Sequence, residues 1–209
     1  MTWVTYDAII LAGGRARRLE GACKPEVILA GRRLLDHTLD STTGARHRVV
    51  VGPAALEVPA TVLQTQETPA HGGPVAGIEA GLQALSGTTG PRSVGDGTPI
   101  LVLACDMPFI ASALPRLLAH LDGVDGTHLV DHECHPQWLA ALYRPDALQR
   151  GLDTLAADGG TRNASVRRLV AGLAMTAVAT SGPECSDVDT WADHAHLETV
   201  VPPTLRAVS

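Results

Sequence analysis

Ala8–Val27 reads AIILAGGRARRLEGACKPEV. An apolar run ends in two glycines, three arginines fall between positions 15 and 18, and a Lys-Pro pair follows. Asp7–Ala12 has the short, continuous apolar pattern of a strand covered on both faces. Gly13 and Gly14, without side chains, let main-chain N–H groups approach an anion closely. Arg15, Arg17, Arg18 and Lys24 then supply positive charge, and phosphate is the natural guest for a guanidinium fork beside a compact ammonium. The residues alone leave a second reading open, a plain strand-to-helix turn with solvated arginines. Two nucleotide fingerprints are excluded, because no Gly-Lys-Ser/Thr follows and no third glycine completes GxGxxG.

Outward from this stretch, strands alternate with helices. RVVVG (48–52), ATVLQ (60–64), PILVLAC (99–105), HLVDHE (128–133), QWLAALY (137–143) and MTAVAT (175–180) read as strands. Helical spacing marks LLDHTLDSTTG (34–44), PVAGIEAGLQAL (74–85), SALPRLLAHL (112–121), DALQRGLDTLAAD (146–158), NASVRRLVAGL (163–173) and TWADHAHLETV (190–200). The pattern predicts one α/β domain over residues 1–209, a Rossmann-like, mainly parallel sheet flanked by helices. Ligands of such sheets gather at the carboxyl ends of the strands, so the site is expected where Ala12 and Cys105 end their runs. Turn residues over about 86–98 predict a mobile surface loop, and VPPTLRAVS (201–209) a loose tail.

Composition narrows the function class. With 209 residues, 45% of them hydrophobic, the chain can bury one substantial core. A net charge of -6 argues against general nucleic-acid binding, which needs basic surface, whereas short arginine clusters suit a small anionic ligand. Cys23, Cys105, Cys134 and Cys185 form no CxxC pair and fit reduced thiols, so a cytoplasmic location is expected. No basic, apolar leader opens the chain, and Asp106, Pro108 and Pro115 interrupt its longest apolar stretch, so no membrane association is expected.

Four segments carry a family resemblance. LAGG with Arg18, Leu19 and Lys24 resembles the LAGGxxxRM…K signature of MobA-like nucleotidyltransferases, the molybdenum cofactor guanylyltransferase type. GGPVAGIEAGL resembles that family's GPLAGI…GL, LVLACDMPFI its strand ending in a CDMPF-like motif, and DVDTWADH its NxNTPEDL or DxDTPEDL. The order matches and the four segments span nearly the whole chain.

The resemblance implies a fold of the nucleotide-diphospho-sugar transferase type and Mg²⁺-dependent transfer of GMP from GTP to molybdopterin, with pyrophosphate released. Leu11, Ala12, Gly13, Gly14, Gly73 and Pro74 would border the nucleotide, Arg18 and Lys24 would neutralise the triphosphate, and Asp106 would hold Mg²⁺. Asp187 or Asp189 would supply a second carboxylate, Asp189 being favoured; capping of the last helix is the competing reading for both. Gln66 stands where the family commonly carries the aspartate that reads guanine, with Glu67 beside it, so both are candidate base readers. The resemblance also implies other cofactor-maturation proteins as partners. Cytidylyl or sugar-1-phosphate nucleotidyl transfer on the same scaffold is the alternative, and a catalytically reduced nucleotide-binding protein is a rival of another class.

No general base is required. A phosphate monoester carries much of its second negative charge at neutral pH, so the protein must align and neutralise rather than abstract a proton. Two positions depart from the family pattern: Glu20 replaces a usual glycine, and Cys23 an aspartate before the lysine. In HLVDHECHPQW the ligand spacing does not suit zinc. His135 is a candidate acceptor contact or a surface histidine, and Arg162, Arg167 and Arg168 meet either an anionic acceptor or solvent.

Overall fold

The computed structural model describes residues 5–13, 23–87 and 97–201. Gly14, Arg15, Arg17, Arg18 and Glu20 lie outside the described residues, as do residues 88–96 of the loop expected at 86–98 and residues 202–209 of the tail expected at 201–209.

In chain order the elements are β1 (Asp7–Leu11), β2 (Ile28–Leu29), β3 (Arg32–Arg33), α1 (Leu34–Ser41), β4 (Arg48–Val51), β5 (Leu63–Thr65), α2 (Pro74–Ser86), β6 (Ile100–Ala104), α3 (Leu114–Ala119), β7 (Gly126–Val130), β8 (Pro136–Tyr143), α4 (Pro145–Ala157), α5 (Val166–Leu169), β9 (Met175–Ala179) and α6 (Trp191–Val200). Seven strands form one sheet in the order β5-β4-β1-β6-β8-β7-β9. β5, β4, β1 and β6 run parallel, β8 is antiparallel to both β6 and β7, and β9 is parallel to β7. The expected mainly parallel sheet is present, with one reversed strand near its middle.

Alternation along β1 sorts the core. Ile9 faces a cluster with Ile78, Leu82 and Leu85 of α2 and Leu148, Leu152 and Leu155 of α4. Ala8 and Ile10 face the other side, toward Leu117 of α3 and toward Leu35 and Leu39 of α1. Burial of each such side chain contributes roughly 1.5–3 kcal/mol. α2 lies unusually close to β1 because glycine faces it: a methyl at Gly81 would meet Ile9 Cγ2 at 2.7 Å, and one at Gly77 would meet Leu11 Cδ2 at 3.1 Å.

The strand expected over 60–64 is Leu63–Thr65, and three further local features differ from the sequence reading. Ala30 (φ 51°) and Gly31 (φ 80°) form a two-residue turn joining β2 to β3, a hairpin that is too short to leave a periodic pattern. The strand expected over 128–133 ends at Val130, because Asp131 Oδ1 accepts from the N–H groups of Glu133 and His135, both at 2.9 Å, and turns the chain into β8. The helix expected over 163–173 contracts to Val166–Leu169; Ser165 caps its start, and Leu173 N–H turns back to Val170 O.

Candidate active site

A cleft of about 970 Å³ opens at the carboxyl ends of the parallel strands. Its floor is held by hydrogen bonds that extend the sheet past its last residues. Ala12 N–H donates to Val51 O at 2.8 Å, Gly52 N–H to Thr65 O at 2.9 Å, and Cys105 N–H to Leu11 O at 3.1 Å. The Thr38 hydroxyl donates to Cys105 O at 2.9 Å, so the residue before Asp106 is fixed at both its amide and its carbonyl. Burial pushes the Cys105 thiol up, far from the thiolate form needed of a nucleophile.

Leu11, Gly13, Gly73, Pro74 and Glu67 line the side of the cleft formed by β1, β4 and β5. Ala12 does not; its methyl joins the core cluster of Leu35 and Leu39. α2 begins here, with Gly73 at φ 89° before Pro74, and so turns its positive N-terminal end to the cleft. Glu67 is buried, and its Oε1 accepts from Gly72 N–H at 3.3 Å. A methyl at Gly13 would come within 4.0 Å of Glu67 Oε2, which sets that carboxylate against the end of β1. Gln66 is exposed and does not line the cleft. Of the two adjacent candidates, Glu67 therefore stands at the cavity.

In the middle of the cleft, Asp106, Asp187 and Asp189 each bring a carboxylate oxygen within 4.8 Å of the others. Lys24 Nζ sits among them, 2.5 Å from Asp189 Oδ1 and paired with Asp106. Burial works against the Lys24 charge, but Asp106 and Asp189 outweigh it and raise its pKa, so the ammonium is held firmly charged. Partial desolvation, then the negative charges of Asp106 and Asp189, push Asp187 up to about 6. The capping alternative for Asp187 and Asp189 does not hold, because Thr190 is the N-cap of α6 and Asp193 completes a reciprocal capping box with it. Three hard oxygen donors within reach of one another fit a divalent cation.

The rest of the cleft is lined by Gln137, Trp138 and Leu139 of β8 and by Arg162, Ser165, Val166 and Arg167 of the α5 region, which meets the start of α2 where Asn163 N–H donates to Gly72 O at 2.6 Å. Arg162 Nη1 donates to Pro69 O at 3.1 Å, while Arg168 turns away to pair with Asp158 at 2.6 Å. His135 also lies off the cleft, exposed beside Glu133 and Asp131. Sequence reasoning did not single out Trp138 or His71, both of which line the cavity. The reversal of β8 is what brings Trp138 there, and the strand pattern carries no sign of direction. Among the described residues, no other group of three or more His, Cys, Asp or Glu side chains could hold a metal ion, and no helix is long and apolar enough to cross a membrane.

The chain has counterparts among known proteins. Residues 8–175 match the MobA-like NTP transferase domain. A molybdenum cofactor guanylyltransferase from Acidiphilium cryptum (strain JF-5) is 35% identical over 157 residues, which cover 70% of this chain and 72% of that protein. The molybdopterin-guanine dinucleotide biosynthesis protein A structure from Archaeoglobus fulgidus aligns over 93% of this chain and 97% of its own, with TM-score 0.67 and 20% identity. The 2-C-methyl-D-erythritol 4-phosphate cytidylyltransferase of Thermus thermophilus aligns over 94% and 98%, with TM-score 0.70 and 15% identity. A manganese complex of Rv0371C from Mycobacterium tuberculosis H37Rv aligns over 94% and 100%, with TM-score 0.65 and 18% identity. The structural likenesses carry the fold. With the domain match over four-fifths of its length and the sequence relative beside it, the chain belongs to the MobA-like NTP transferase family.

Proposed function

We propose that the chain is a nucleotidyltransferase that joins GMP from GTP to molybdopterin and releases pyrophosphate, with Mg²⁺ as its metal. The observation that carries this reading is the placement of Glu67 and the Asp106, Asp187 and Asp189 cluster in one cleft. Glu67 offers a carboxylate to the two adjacent donors of guanine, N1–H and the N2 amino group. Asp106 and Asp189, with Asp187 beside them, would hold Mg²⁺. Bound there, the ion would withdraw charge from the α-phosphate and from the departing pyrophosphate.

The protein's own groups do the rest. Gly13 leaves room for a phosphate close to the backbone, the N-terminal end of α2 favours negative charge, and Lys24 neutralises charge that develops on the leaving group. Arg18, outside the described residues, is proposed to act with Lys24. A phosphate oxygen of the acceptor is aligned opposite the leaving pyrophosphate for attack at the α-phosphorus. No side chain is required to take a proton. Arg162 and Arg167, which line the cleft, supply positive charge for an anionic acceptor.

The test is pyrophosphate release from protein, Mg²⁺ and molybdopterin with GTP, CTP or ATP in turn. Release with GTP is the expected result. Release with CTP alone would assign cytidylyl transfer instead, and none with any triphosphate would assign a nucleotide-binding partner protein.

A further inference from the structure

Trp138 occupies a special place in the sheet. β8 runs against β6, so its first residues lie at the edge where β1 and β6 end, and β6 separates β8 from the nucleotide side. Gln137 pairs with Leu129 and Ala141 with His128, which leaves three residues of β8 between them without counterparts on β7. Neither Trp138 nor Leu139 has a registered partner on β6 or β7 among the described residues. Such a bulge re-aims side chains. The carbonyl of Trp138 accepts instead from the Tyr143 hydroxyl at 2.8 Å, and Tyr143 is wholly buried.

The indole is supported from the sheet side. The His128 ring centroid lies 4.2 Å from that of Trp138, with 38° between the planes. His128 is buried, its Nδ1 has no hydrogen-bond partner among the described residues, and burial lowers its pKa, so it packs as a neutral ring. Trp138 itself is only half-buried and lines the cleft, as do Arg162, Ser165, Val166 and Arg167. An aromatic face in a cleft that arginines also line, separated from β1 by β6, suits a second flat ring that bears an anionic arm.

We propose that Trp138 is the platform on which the flat pyrimidinone ring of the acceptor's pterin stacks, with His128, packed against the indole, as a positioning residue. The inference rests on the acceptor being a phosphorylated pterin, as in the proposed function. Stacking on an aromatic face discriminates planar from non-planar acceptors. A sugar phosphate has no such face to offer.

The experiment has two readouts. Steady-state kinetics with GTP and molybdopterin should show that Trp138→Leu raises the acceptor KM by about tenfold or more and leaves the GTP KM unchanged. Trp138→Phe should fall between that variant and wild type. His128→Ala should raise the acceptor KM and His128→Phe should restore it, a rescue that loss of an imidazole hydrogen bond would not allow. Unchanged acceptor KM in a folded Trp138→Leu would overturn the inference, as would equal loss on both substrates. The second readout is tryptophan fluorescence in a Trp3→Phe/Trp191→Phe background, titrated with a monophosphorylated pterin. Saturable quenching supports the platform and its absence overturns it. If wild type releases no pyrophosphate with molybdopterin, the functional reading fails, and the fluorescence titration alone decides for or against the platform.

Discussion

Lys24 Nζ donates to Asp189 Oδ1 at 2.5 Å across 165 positions of sequence, and the same ammonium pairs with Asp106. A residue from the first loop thus occupies the place among the carboxylates where a divalent cation fits. An ammonium and a metal ion compete for the same oxygens. In the nucleotide-free protein, Lys24→Met should therefore tighten binding of Mn²⁺, read by titration, by about tenfold or more. Nucleotidyl transfer should slow by roughly 10² or more in the same variant, because charge on the leaving group loses its partner. Unchanged Mn²⁺ affinity would mean that Lys24 does not contest the site.

Asp106→Asn keeps the shape of the side chain and removes its charge. Its neighbour Cys105 is held through backbone atoms and Thr38, so the fold should persist by circular dichroism while turnover nearly vanishes. Chelation of divalent metal should silence wild type, and excess Mg²⁺ should restore wild type but not the variant. Substantial activity in Asp106→Asn would remove this carboxylate from the metal site.

Much of this was legible in the sequence for a physical reason. Buried parallel strands need continuous apolar runs, as in Ala8–Ala12 and Ile100–Cys105, and the residues that end them stand at the site by topology. Gly13 and the position of Asp106 follow from that pattern, whereas a metal role for Asp106 follows from the family resemblance. Asp187 and Asp189 were found only through family resemblance, and their freedom from helix capping depended on Thr190 doing that task. Strand direction and bulges leave no mark on an apolar pattern. The place of Trp138 on the cleft is therefore not legible, and of the two readings of His135 the structure shows a surface histidine.

Glu184 anchors the loop that delivers Asp187 and Asp189. It is buried, and it accepts from Arg116 at 2.9 Å and from the N–H and hydroxyl of Ser181, both at 3.0 Å. Burial opposes ionisation, but Arg116 and Ser181 together outweigh it and lower the pKa from the ordinary 4.5. The stabilisation is therefore present above pH 4.5 and is lost as the pH falls below it through the lowered folded value. Glu184→Gln should cost about 1–3 kcal/mol at pH 7 by denaturant melting and flatten the loss of stability on acidification. Mn²⁺ affinity should also fall, because the carboxylate loop loses its tie to α3. A variant with unchanged stability and pH profile would show that the buried carboxylate is not an anchor.

Guanine presents two adjacent donors, and a carboxylate that accepts both is better matched to it than an amide, which presents donors of its own. Glu67 lines the cleft with one oxygen already accepting from Gly72 N–H, whereas Gln66 is exposed away from the cavity. Adenine and cytosine would each set an amino group beside a ring acceptor there, leaving a buried polar atom unpaired at a cost of about 1–3 kcal/mol. Binding titrations of GTP, CTP and ATP should accordingly show GTP preferred by about tenfold or more in wild type and in Gln66→Ala, and the preference lost in Glu67→Gln. Equal affinity for the three triphosphates in wild type would sink the guanine assignment. GTP preference that survived in Glu67→Gln but vanished in Gln66→Ala would transfer the reading of the base to the exposed neighbour.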